Sequence, residues 1–316
     1  MGRESVSTSR ESRINELSQA EEKAFELLKS EYKEAAINLK DFEKVAGYGK
    51  ERVQKDAERV MRKKKEIEQM GTEPTRRAKL LEMMLVDQIE LSDWFGQNTY
   101  TIIPSEYDDL FHGVDLALEI EDEEGIKHLA LGIDVTSSPI SIRKKLKIIK
   151  DHIKDGTLTA MEYFHSEDHN PDFYGTMSNI PQVVIGTGSK TVRELGELWM
   201  TAHGLLKLRQ KTNQPPLSPE SEASQKTKTR EAKGQLALHR IQLLLLEEIK
   251  MQLTVFTEFA EQNGQTQIAN KFVSVLELVE SILREKGVPK KEDVFANTED
   301  PVFQSLSEAV ESFEGL

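Results

Sequence analysis

The sequence contains no cysteine, which excludes a disulfide framework, a thiolate zinc site and a sulfur nucleophile, and which fits a reducing compartment. Long apolar stretches are missing too. The longest purely aliphatic run is Leu243 to Leu246 and the mean hydropathy is -0.52, so no segment is long enough to span a bilayer. Met1-Gly2-Arg3-Glu4-Ser5 leads into polar residues rather than an apolar stretch, which reads as neither a signal peptide nor an anchor. The cytoplasm is the expected location, with no membrane partner. Basic charge is in short supply: 42 Lys and Arg stand against 55 Asp and Glu, a net charge of -13. By segment the sum is zero over residues 1–75, -7 over 76–211 and -6 over 212–316. A pI near 5.2 argues against broad, nonspecific phosphate binding and leaves that role to local basic stripes.

What is present divides the 316 residues into four segments. Residues 1–75 read as a charged helical, coiled-coil-like arm. After a polar start, Leu17, Phe25, Leu28, Tyr32, Ala35, Leu39 and Phe42 recur at helical spacing and predict one long helix from Ile14 to Val45. Gly47-Tyr48-Gly49 breaks it, and a second helix follows from Lys50 to Met70. Its run Arg62-Lys63-Lys64-Lys65 reads first as a solvated face, with contact to phosphate as the alternative. Residues 76–211 carry the α/β pattern. Residues 212–235 combine Pro, Ser and charge with almost nothing to bury, which predicts a flexible linker. Residues 236–316 predict a helical hairpin, Leu236 to Gln262 and Gln265 to Lys286, with a short helix after Pro301. Its Leu243 to Leu246, Ile249, Leu253 and Phe256 offer more apolar surface than a lone hairpin can hide, so docking or self-association is expected, and the helical arms are candidates for a homo-oligomer.

The chemistry sits in the second segment. Arg76 to Asp93 predicts an apolar helix that Glu82 interrupts, either as a buried functional acid or, the reading favoured by its long side chain, as a rim residue. A short strand, Tyr100 to Ile103, precedes an acidic loop containing Glu106, Asp108 and Asp109. Two stretches then alternate strictly. Val114, Leu116, Leu118 and Ile120 form one apolar face, Leu129, Leu131, Ile133 and Val135 another, and the short polar connection from Glu121 to Gly125 predicts an antiparallel hairpin. Both apolar sets must share a face. The registers that satisfy this put Asp115 and Asp134 on the opposite face, directly opposed or diagonal at roughly 5–8 Å. Ala117, Ala130 and Gly132 beside them leave room. Converging carboxylates repel unless a proton or cation lies between them, and an all-oxygen site suits magnesium. The bland alternative is a pair of acids on a solvated hairpin face.

Ser137 to Asp155 predicts a helix with an apolar stripe of Ile142, Leu146, Ile149 and Ile153 and a basic ridge of Arg143, Lys147, Lys150 and Lys154. The ridge either neutralises substrate phosphate or balances neighbouring acids. Ala160 to Phe164 and Ile180 to Ile185 predict strands, and the polar loop from His165 to Met177 holds His165, Glu167, Asp168 and His169, a set read as polar loop rather than metal site. Gly186-Thr187-Gly188-Ser189-Lys190-Thr191 departs from a Walker loop and reads as a strand-to-helix turn with a Ser cap before a helix to Lys211.

An apolar helix, a strand, a strand entered through Gly113-Val114-Asp115, a strand ending Ile133-Asp134-Val135-Thr136, a helix and then further strands resemble the αβββαβ core of the PD-(D/E)XK, or restriction endonuclease-like, superfamily. The resemblance covers about 135 residues. It implies a hydrolase acting on nucleic acid, DNA or RNA, with magnesium or manganese held by Asp115 and Asp134, and with Asp109 and Glu106 as further ligand candidates. Thr136 stands where the pattern has Lys. Some members of the superfamily supply that amine from the following helix, which makes Lys144 or Lys145 the catalytic candidate here. Without such an amine the resemblance implies a noncatalytic interaction or nucleic-acid-binding protein with a degenerate core.

Overall fold

The protein is described by a computed structural model covering residues 17–70, 75–120, 129–166, 173–204, 207–208, 218–287 and 299–316. The fold is mixed α/β, largely helical around a small mixed sheet. No helix among these residues is long and apolar enough to cross a membrane.

The chain begins with α1 (Gln19–Ala35), which Ser18 and Glu21 open with a reciprocal capping box. The single helix expected to Val45 stops at Ala36. The backbone turns extended there, Ile37 N donates to Ile103 O at 3.0 Å, and Leu39–Lys44 continues as a 3-10 turn. Nor is α1 a free arm. Ala24, Phe25, Leu27 and Leu28 lie in the main core, and Glu21 and Arg77 form a buried ion pair at 2.9 Å with the next-but-one helix. That helix, α3 (Arg76–Ser92), follows α2 (Gly49–Met70), and α2 buries Val53, Asp56 and Val60 while leaving its other faces to solvent.

Strand β1 (Thr99–Ile102) leads to α4 (Glu106–His112), where a loop was expected. The acids there serve a helix: Ser105 caps Asp108 N, and the Asp108 carboxylate accepts from Glu162 N at 2.6 Å and Tyr163 N at 3.1 Å. Strands β2 (Leu116–Ile120) and β3 (Leu129–Thr136) pair antiparallel, with Leu116 opposite Ile133, as the alternation requires; their connection, 121–128, lies outside the described residues. Helix α5 (Ile142–Lys154) crosses to β4 (Thr159–Ser166), β5 (Phe173–Ile180) and β6 (Gln182–Gly186). Residues 173–177 of the loop expected from His165 to Met177 belong instead to strand β5, whose exposed residues satisfy their backbone by pairing with β4 in a separate two-stranded sheet; His165 belongs to β4, and 167–172 lie outside the described residues. The main sheet runs β1-β2-β3-β6, with β6 parallel to β3.

Helix α6 (Ser189–Trp199) continues as a π turn, Met200–Gly204. Its cap is Gly188 rather than a serine. A side-chain acceptor at this turn comes instead from Asp300, which accepts from Gly188 N at 2.8 Å and Thr187 Oγ1 at 2.6 Å. The expected linker holds a helix, α7 (Pro219–Ala237), capped by Ser218 and anchored by buried Ala232 and Leu236; residues 212–217 lie outside the description. Sparse apolar residues concealed it, since two anchors suffice when one end is packed. Helix α8 (Ile241–Gln262) starts five residues later than expected, and α9 (Thr266–Lys286) and α10 (Pro301–Glu311) follow. The apolar surface of α8 is spent on the chain's own sheet, where Gln252 bonds both Val184 N and Val184 O. One apolar cluster consequently runs from Ala24 to Phe313, through every expected segment boundary.

Candidate active site

Beyond Leu116 the β2–β3 ladder leaves its register. Asp115 N donates to Ile133 O at 2.9 Å, and Asp115 Oδ2 accepts from Val135 N at 2.7 Å. The slip turns Val114 away from the Leu116 face into a second cluster with Ala117, Ala130 and Ile180. That cluster lies beneath the β4–β5 hairpin, so the small residues make room for a second sheet: a Cβ on Gly132 would touch Pro181 O and Thr159 Cγ2 at 3.6 Å. The space expected around the acids at that face is therefore filled by protein.

The acids themselves come together at the end of the strands, where Asp134 lies half-buried against Asp115. Burial, then the charge of Asp115, pushes the Asp134 carboxyl well above the usual carboxylate range, although Lys145 pulls the other way. Lys145 Nζ donates to Asp134 Oδ1, while Lys144 is exposed. The helix after β3 thus delivers one amine, and it is Lys145. Thr136 faces elsewhere: its hydroxyl donates to Ser138 O at 3.0 Å and accepts from Ser138 N at 3.2 Å, closing the turn into α5.

A second layer comes from α3 and α4. Glu82 is buried, not a rim residue, because Tyr32 of α1 and Lys79 of α3 close over it; Tyr32 Oη donates to Glu82 Oε1, and Lys79 Nζ reaches the same oxygen at 2.7 Å. Burial and then Asp115 push the Glu82 carboxyl up to about 8. Asp109, one residue beyond the structural Asp108, is pushed up to about 7 by burial and again by Asp115. Burial alone would lower the Lys79 ammonium, but Glu82, Asp109 and Asp115 outweigh it and hold it above the usual lysine range. Tyr32 also approaches Asp115 O at 3.4 Å.

Two other candidates fall outside the cluster. Glu106 is exposed and pairs with Lys64 at 2.5 Å. Lys150 leaves the ridge: it is buried, donates to Glu314 O at 2.6 Å and Leu316 O at 3.0 Å, and lies over the rings of Phe259 and Phe313. Arg143, Lys147 and Lys154 remain exposed. His165 stacks on Tyr174 at 3.9 Å, and Glu167, Asp168 and His169 lie outside the described residues.

Among the described residues no three His, Cys, Asp or Glu side chains converge as a ready metal cage. The donor set still suits a hard cation. Glu82, Asp109 and Asp134 are each repelled by the same anion, Asp115, and magnesium keeps several waters and takes one or two carboxylates rather than a full protein cage. Compared with protein-family models, with curated proteins and with solved structures, the chain matches none of them.

Proposed function

We propose that this cluster is the active site of a metal-dependent nuclease that hydrolyses phosphodiester bonds of DNA or RNA. The observation that carries the reading is one interacting group of four carboxylates, Glu82, Asp109, Asp115 and Asp134, with two amines, Lys79 and Lys145, at the end of the β2–β3 pair. The order α3, β1, β2, β3, α5, β6, with α4 and β4–β5 as insertions, supports a PD-(D/E)XK-like αβββαβ core.

In this reading Asp115 and Asp134 would hold magnesium or manganese, with Asp109 as a neighbouring charge rather than a third ligand. The bound ion would supply an activated water and neutralise the leaving oxyanion. Lys145, already within reach of Asp134, orients the attacking water or offsets charge on the phosphorus centre, as the motif lysine would from the place Thr136 holds. Glu82, neutral or charged near pH 8, is a proton store held by Tyr32 and Lys79.

A second reading, a noncatalytic nucleic-acid-binding or interaction protein, draws on the same amines: Lys145 with Asp134 and Lys79 with Glu82 neutralise acids with no metal. Thermal unfolding with and without magnesium separates the two. Saturating magnesium should stabilise the wild type by about 2–3 kcal/mol, the linkage expected near a hundredfold excess over Kd, and leave Asp134→Ala unmoved. An equal response of both chains, or none, favours the second reading.

A further inference from the structure

Helices α6 and α7 pack together without closing the space between them. Ala232 and Leu236 of α7 turn into the core, and the Leu236 carbonyl accepts from Trp94 Nε1, so the rest of that turn is left facing α6 across an open groove. The groove holds about 930 Å³. Glu197 and Leu198 of α6 line it, with Glu231 and Gly234 of α7 and with Leu238 and Arg240 just beyond that helix. Glu231, Gly234 and Leu238 stand at i, i+3 and i+7, so they share one face about 10 Å long.

Two residues of this face are not explained by the chain's own packing. Leu238 is 83% exposed, although it adjoins the anchored Leu236. Gly234 lies inside a helix, where glycine is less favourable than alanine, yet its φ is not positive and a Cβ there would meet nothing within 4 Å. What the glycine provides is room. Charge then decides what can fill that room. Glu197 and Glu231, one on each helix, are exposed and have no basic partner among the described residues. A third carboxylate, Glu194, meets His239 Nε2 at 3.5 Å, but burial holds that imidazole below its usual range, so the ring offsets little of the charge. Three carboxylates therefore stand against one guanidinium, Arg240, around the apolar surface of Leu198 and Leu238.

We infer that the α6–α7 groove docks a short helical segment of another protein, one that carries a single large apolar side chain between basic residues. The apolar group seats over Gly234 between Leu198 and Leu238, and the basic groups on either side of it pair with Glu197 and Glu231. A 10 Å face matches about two turns of such a helix, the length at which one apolar anchor and its neighbours at i±3 or i±4 engage together. A phosphate chain would be repelled there. The occupant is thus not the substrate of the acidic cluster, and the inference stands apart from the nuclease reading.

The test selects a random peptide library on the purified full chain and measures the selected peptides singly by fluorescence anisotropy. They should share a Leu, Met or Phe flanked by Lys or Arg. Gly234→Leu, which fills the groove, and Glu197→Gln/Glu231→Gln, which discharges it, should each weaken them at least about tenfold, while Lys271→Gln on the exposed face of α9 matches the wild type. Leucine forms helix better than glycine, so Gly234→Leu should unfold at a temperature no lower than the wild type. Selection of no common motif, of acidic flanks, or of peptides whose affinity both groove variants keep overturns the inference. A wild type that sediments as a dimer and becomes a monomer on Gly234→Leu overturns it as well, since the occupant is then a second copy of this chain.

Discussion

Glu82 shows what a single misfit residue reports. It interrupts an apolar arc of α3, and a carboxylate there is tolerated because Tyr32 and Lys79 meet it, yet burial and Asp115 still push it up to about 8. The folded chain then binds this proton more tightly than the unfolded chain does. Stability is full below the ordinary value near 4.5 and declines as pH rises from there to about 8. Glu82→Gln keeps the shape and the hydrogen-bonding oxygen while removing the charge. In metal-free buffer it should be more stable than the wild type at pH 8.5 by at least about 1 kcal/mol, less than one pKa unit of linkage, and equal to it at pH 4.5. Denaturant unfolding at both pH values measures this, and a constant difference would mean that Glu82 carries no excess charge cost. Sequence exposed Glu82 as an anomaly, whereas Tyr32 and Lys79 were hidden. Tyr32 continues the Phe25 and Leu28 stripe and reads as core, and Lys79 reads as one more surface lysine until its turn of α3 faces the acids.

At the scale of elements, alternation and helical period were enough for α3, β2, β3, α5, α9 and the antiparallel register, because each buries one regular face. They failed where long-range partners decide. Strand β5 is exposed along most of its length and exists because β4 offers its backbone; α7 is nearly all polar and is pinned by Leu236, whose carbonyl accepts from Trp94 Nε1 at 3.0 Å. The same limit applies to Asp115 and Asp134. Their convergence is legible in the alternation, but the room that Ala117, Ala130 and Gly132 leave is filled by the second sheet rather than open beside the acids. The sequence predicts a local serine cap at the β6–α6 turn, which is instead closed from a distance by Asp300 and by Glu248, whose Oε2 accepts from Gly186 N at 2.9 Å. Gly186 itself has no alternative. A Cβ there would stand 1.9 Å from Thr136 O, so β3 and β6 would have to separate at the strand end that carries Asp134. Gly186→Ala should cost about 3 kcal/mol or more, read from the midpoint of urea unfolding, and a loss within about 0.5 kcal/mol would show that the two strands have slack there.

Across the whole molecule, the α/β segment is not a module with helical attachments. Helices α1 and α3, before the sheet in sequence, and α8, α9 and α10, after it, pack into one core with it, so the acids sit on a scaffold built from elements on both sides of the sheet in sequence. Preorganisation of that kind is what lets carboxylates stay close despite their repulsion. The net charge of -13 argues against broad, nonspecific phosphate binding, so the nuclease reading rests on the acidic cluster itself. The most direct test is the rate of phosphodiester cleavage, with magnesium or manganese, by the purified wild type and by Asp134→Asn over single- and double-stranded DNA and RNA. The account predicts metal-dependent cleavage by the wild type and a rate at least about 100-fold lower for the variant, with its fold intact. Equal cleavage by the two proteins, or none by the wild type on any of these substrates, would contradict it.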